Sequence, residues 1–107
     1  MTLDKLDYVL TLAEERNMRR AAAKLYISQP GLTAYINKLE QYLGVKLFDR
    51  TVTPIQVMEA GALYISRMKE LRQSETMLRS QLAELGNRRR TLRIGIGVTR
   101  GSLWLPY

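Results

Sequence analysis

Apolar residues recur at Leu3, Leu6, Val9, Leu10 and Ala13, which is one face of a helix. The pattern predicts a helix over about Leu3–Arg16, with Thr2 as cap and Asp4 in the first turn, where the helix dipole favours an anion. Asn17 is a good cap for a second helix over about Met18–Leu25, whose run of alanines has too little bulk to keep another helix away. Ser28 then reads as a further N-cap. Pro30 falls at the second helical position, where a missing N–H breaks no intrahelical bond. From there Leu32, Ile36, Leu39 and Leu43 line one face at spacings of four, three and four, and Gly44 stands where a left-handed residue ends a helix. The third helix is expected over about Gln29–Leu43. Its opposite face holds Gln29, Pro30, Thr33, Ala34, Asn37 and Gln41.

The period then changes. In "VKLFDRTVTPIQVM", Val45, Leu47 and Phe48 and the β-prone "PIQV" flank a turn at Thr51–Pro54, which predicts a small two-stranded hairpin. From Glu59 the pattern is helical again for about 27 residues, with Gly86 and Asn87 as the expected stop. Along it Tyr64, Met68, Leu71, Glu75, Leu78, Leu82 and Leu85 alternate spacings of four and three, and six of these seven are apolar. This is a seam of 3.5-residue period, the pattern of a coiled coil. The same face could pack on its own domain. The preceding segment is too small to cover a helix about 40 Å long, so a partner chain is the expected cover. "TLRIGIGV" after Arg90 predicts a strand. A single strand is no domain, so the chain is expected to stop at the start of a second one.

Two short helices joined by a three-residue turn, the second with a polar free face, form a helix-turn-helix. Ala21 and Ala22 permit a close crossing, Leu25 and Ile27 plug the space beneath the turn, and Leu32 and Ile36 anchor the second helix. Its N-terminal half is left free to enter a major groove. Gln29 can reach a base edge bidentately and Pro30 can touch a thymine methyl. Thr33 and the helix N-terminus suit a phosphate. On periodicity alone, any three-helix bundle with a polar outer face would read the same way.

Charge supports a polyanionic partner. The 107 residues carry a net charge of +7 and no histidine or cysteine. The lack of both removes thiolate and imidazole metal ligands and the commonest general base, and no catalytic residue, metal or cofactor is expected. The charge is spread out, at +2 over residues 1–58, +3 over residues 59–90 and +2 beyond, so folding must gather any basic surface. No apolar run approaches the roughly 20 residues that span a bilayer. The N-terminus is acidic where a signal peptide would be basic. No membrane partner is expected, and the expected location is the cytoplasm.

The stretches "RAAAKLYISQPGLTAYINKLEQYLGVKLFDR" and "EAGALYI" resemble the N-terminal portion of LysR-type transcriptional regulators, in spacing as well as residue type. "RIGIG" is similar to the first strand of that family's effector-binding domain. The resemblance implies a mainly α fold: a winged helix-turn-helix of three helices plus a small β-hairpin wing, followed by a long dimerisation helix. It implies a DNA-binding domain over residues 1–58, a linker helix over 59–87, and over 88–107 a hinge with the first strand of a truncated effector-binding domain. Family members are bacterial regulators that bind promoter DNA as dimers or tetramers and respond to small-molecule effectors, so an effector is expected only for a full-length protein.

By position, Gln29, Pro30 and Thr33 fall on the family's recognition-helix contacts and Ser28 on its N-cap. Ala34, Asn37 and Lys38 share that helix, and Arg50 begins the wing, where a phosphate contact is implied. The chain departs from the family pattern at Ala34, at Thr53 and Pro54 in the wing, at Met58 before the linker helix, and at Met18 and Arg19. Arg19, Arg20, Lys24, Lys38 and Lys46 are then candidates for phosphate contacts. The implied dimer contacts are Tyr64, Met68, Leu71, Leu78, Leu82 and Leu85. A helical adaptor that uses the heptad seam without DNA is the alternative reading. Gly95, Gly97 and Gly101 do not have phosphate-loop spacing, and too few residues follow for a βαβ unit.

Overall fold

The structure is a computed structural model that describes residues 5–92, with side-chain surroundings for residues 5–88. The element order is α1 (Leu6–Glu15), α2 (Met18–Lys24), α3 (Gln29–Leu43), β1 (Phe48–Asp49), β2 (Gln56–Val57) and α4 (Glu59–Leu92). The chain divides into two compact units, Met1–Arg72 and Gln73–Tyr107. The first holds the three short helices, the hairpin and the beginning of α4. The described part of the second is the remainder of α4.

The first unit closes around Val9, Leu12, Ala21, Ala22, Leu32, Ile36, Leu39, Leu47 and Phe48, with Leu25 and Ile27 packed against them under the turn. Leu6, Val9 and Leu12 are the buried face of α1. Leu12 was outside the face expected from periodicity, whereas Leu10 and Ala13 are only partly buried. Leu3 and the expected cap Thr2 lie outside the described residues. Tyr8 meets Tyr35 edge-on at 5.1 Å between centroids, and Lys5 Nζ lies 5.6 and 5.9 Å from the two rings, so an aromatic pair with a cation joins α1 to α3.

Each short helix ends on a left-handed residue. Gly44 has φ 75°, and its N–H donates to the Glu40 carbonyl. Arg16 has φ 54° and Tyr26 has φ 60°, where a side chain is strained. At Tyr26 the strain is offset by a complete C-terminal cap: its N–H donates to the Ala23 carbonyl and that of Ile27 to the Ala22 carbonyl. The expected N-caps are present. Asn17 Oδ1 accepts from the Arg20 N–H at 2.8 Å, and Ser28 Oγ from the Gly31 N–H at 3.0 Å.

The hairpin is antiparallel, with Phe48 opposite Val57 and Asp49 opposite Gln56. Its return strand is tied to the end of α1. The Ile55 N–H donates to the Arg16 carbonyl at 3.0 Å, and Arg16 Nε donates to the Ile55 carbonyl at 2.9 Å. The Met58 N–H donates to the Leu47 carbonyl at 2.9 Å, and Met58 offers its own carbonyl to Ala62. Gly61 then packs directly on the strand, and a Cβ there would stand 2.2 Å from the Leu47 oxygen.

Two expectations for the C-terminal part are corrected. The helix does not stop at Gly86 and Asn87 but continues to Leu92. A glycine inside a helix costs only about 1 kcal/mol, which its neighbours can absorb. Thr91 and Leu92, expected to open a strand, are therefore helical, and the rest of that stretch lies outside the described residues.

The contact at Gly61 can be tested. Gly61→Ala is expected to lower the unfolding free energy by about 1–3 kcal/mol, read by urea denaturation, because the added methyl must push α4 away from the Leu47 carbonyl.

Candidate nucleic-acid interface

The capped start of α3 is the centre of the candidate interface. Ser28 holds the first turn through Gly31, and Leu32, Ile36 and Leu39 bury the inner face. The outer face is what remains. Gln29, Pro30, Thr33, Ala34 and Asn37 line one shallow, open depression along the helix, so five residues expected from sequence to face DNA share a surface. Lys38 is exposed beside them, as is Arg20 near the start of α2. Lys24 differs from the other candidate phosphate ligands. Its ammonium pairs with Glu15 at 3.0 Å, and that hydrogen bond and charge raise its pKa.

A second concavity lies at the other end of α3, lined by Asn37, Glu40, Gln41, Gly44, Val45 and Lys46. Glu40 is the polar residue that sequence reasoning passed over. It is buried, with 5 % relative exposure. Its Oε2 accepts from the Leu47 N–H at 2.8 Å and the Phe48 N–H at 3.1 Å, and its Oε1 accepts from Arg50 Nη2 at 2.6 Å. Arg50, the residue expected to contact a phosphate, is only 24 % exposed and its Nη2 is committed to Glu40. The reason is electrostatic. A buried carboxylate left without its counter-charge costs about 3–5 kcal/mol, so the nearest arginine is held there.

The wing tip runs from Thr51 through Thr53 and Pro54 and is exposed. Its entry is shaped by Asp49, whose carboxylate accepts from both the N–H and the hydroxyl of Thr51. These bonds, the hydroxyl first, hold the Asp49 pKa below its ordinary value. No lysine or arginine lies between Arg50 and Arg67, so the tip carries no cation of its own.

The candidate dimer contacts separate into two groups. In the first unit Tyr64 packs against the core and Met68 is buried within its own chain. Burial also raises the Tyr64 pKa. Both residues, expected at a partner contact, are thus wholly or partly covered by their own chain. Leu71 is exposed, and in the second unit Leu78, Leu82 and Leu85 are exposed as well. Among the described residues, no helix is long and apolar enough to cross a membrane.

The profile of the bacterial regulatory helix-turn-helix proteins of the lysR family matches residues 3–62. The DNA-binding transcriptional dual regulator OxyR of Escherichia coli K12 is 34% identical over 108 residues, which cover 100% of this chain and 35% of that protein. The HTH-type regulator YjiE of the same organism is 45% identical over 76 residues, covering 71% of this chain and 24% of the relative. The chain thus spans about a third of the length of the first of these relatives. Among solved structures, the BenM DNA-binding domain in complex with benA site 1 DNA superposes with a TM-score of 0.71 at 29% identity, covering 80% of this chain and 97% of that one. Full-length OxyR C199D of Pseudomonas aeruginosa gives 0.66 at 34% identity, covering 80% and 29%.

The Asp49 turn has a titration signature. Its carboxyl is expected to titrate below the ordinary 3.8, and Thr51→Val is expected to move the midpoint up. The folded-state pKa is depressed, so the contribution to stability is present above the unfolded value and fades as pH falls through the folded one. Side-chain NMR titration of both proteins reads the shift directly.

Proposed function

Because the chain belongs to the lysR family of bacterial regulatory helix-turn-helix proteins, we propose that it is a transcriptional regulator that binds promoter DNA through α3 in the major groove. The observation that carries this is the depression along α3, where Gln29, Pro30, Thr33, Ala34 and Asn37 stand together over a buried apolar face. Gln29, in the first turn, reads a base edge, and Pro30 and Ala34 offer apolar contact to thymine methyls. Ser28 contributes by capping the helix. Lys38 and Arg20 serve phosphates. Thr53 meets DNA from the wing.

The dimer is held by the exposed part of the seam, Leu71, Leu78, Leu82 and Leu85, with Tyr64 and Met68 supporting it from within the chain. Residues 1–58 form the DNA-binding domain and α4 is the linker. Effector response and tetramer formation belong to a longer protein with an effector-binding domain after the linker. The reading requires no catalytic residue, metal or cofactor. It places the protein in the cytoplasm, where promoter DNA is found.

Two measurements test this. Gln29→Ala is expected to weaken binding to a duplex selected from a random pool by about 1–3 kcal/mol while sparing random-sequence DNA; equal losses on both would show that Gln29 reads no base. Leu71 and Leu78 are 54% and 53% exposed, so aspartate at both leaves the core intact. This double variant is expected to sediment as a monomer with much weaker DNA binding, and an intact dimer would defeat the seam.

A further inference from the structure

We propose that Arg50 is a positioning residue, which seats the wing against α3 through Glu40, and that the wing tip meets DNA without a cation of its own. The inference rests on the reading of α3 as the recognition helix. One carboxylate joins three parts of the unit. Glu40 sits on α3, the Leu47 and Phe48 N–H groups that it holds open β1, and Arg50 follows β1 at the start of the tip. The guanidinium closes this set at 2.6 Å, with both partners largely out of water.

For Arg50 to turn towards a phosphate, it would have to abandon a buried carboxylate whose other oxygen is already committed to two main-chain donors. A cation paired at this distance also presents little net charge to a distant anion. The tip beyond it offers Thr51, Val52, Thr53 and Pro54, none of them charged. The wing tip therefore contributes shape and neutral contact. Where it stands relative to α3 is decided by the Glu40–Arg50 pair, with the Arg16–Ile55 bonds bracing its other side.

Salt dependence separates positioning from phosphate contact. Each lost phosphate contact lowers the slope of log K against log salt by about 0.9. The probes are a duplex selected from a random pool by the unaltered chain and a random-sequence duplex. Arg50→Gln is expected to lose about tenfold on the selected duplex, with the slope unchanged and little loss on random DNA. Glu40→Gln is expected to do the same, the double variant to lose no more than the worse single one, and Arg50→Lys to recover part of the affinity. In the DNA-free chain, Arg50→Gln is expected to speed amide hydrogen exchange at residues 47–57 relative to residues 32–43.

A shallower slope with unchanged exchange would make Arg50 a phosphate ligand and overturn the proposal. Should Glu40→Gln fail to fold, Arg50→Gln and Arg50→Lys carry the comparison. If the unaltered chain selects no duplex, the regulator reading fails by itself, and the exchange measurement still decides whether Arg50 holds the wing.

Discussion

The first unit turns on the carboxylate of Glu40. A buried charge is tolerable only where hydrogen bonds and a counter-charge replace its water, and here the replacements come from the chain that leaves α3. The Glu40 carbonyl also accepts from Gly44 and Val45, so a single residue ends the helix, turns the chain and starts the strand. With Leu47 and Phe48 fixed in this way, their side chains enter the same core as Ile36 and Leu39. The outer face of α3 is left in place because its inner face and its C-terminal end are both held.

The same strand sets the origin of α4. The Leu47 carbonyl accepts from Met58, and Gly61 lets the helix lie on that carbonyl without a side chain between them. Met58 brings no capping oxygen to the start of α4, so the main-chain bond to Leu47 has greater weight there. The C-terminal end of α3, the wing and the first turns of α4 thus share one short length of backbone.

The local elements were legible because short-range chemistry specifies them. Ser28, Pro30 and Gly44 mark α3 by capping and backbone preference, and the bounds read from sequence match those observed. Arg16 and Tyr26 were not legible as left-handed residues, since nothing about an arginine or a tyrosine announces positive φ. At Tyr26 the side chain is 95 % exposed, so the conformation follows from the cap bonds that close α2, not from packing of the ring. Gly86 misled in the opposite direction: a glycine permits a helix end without requiring one.

From sequence alone came the three short helices, the hairpin, the family resemblance and the set of residues on the free face of α3. All of these depend on periodicity and on residues adjacent in the chain. Only the tertiary structure decided what Glu40 and Arg50 do, because a carboxylate and a guanidinium ten residues apart look solvated until burial brings them together. It also divided the heptad seam. Tyr64 and Met68 share the period of Leu78 and Leu82, but Tyr64 packs against the unit's own core and Met68 is buried, whereas Leu78 and Leu82 stay exposed. Periodicity specifies which residues share a face. What that face packs against depends on the parts of the chain that folding brings to it.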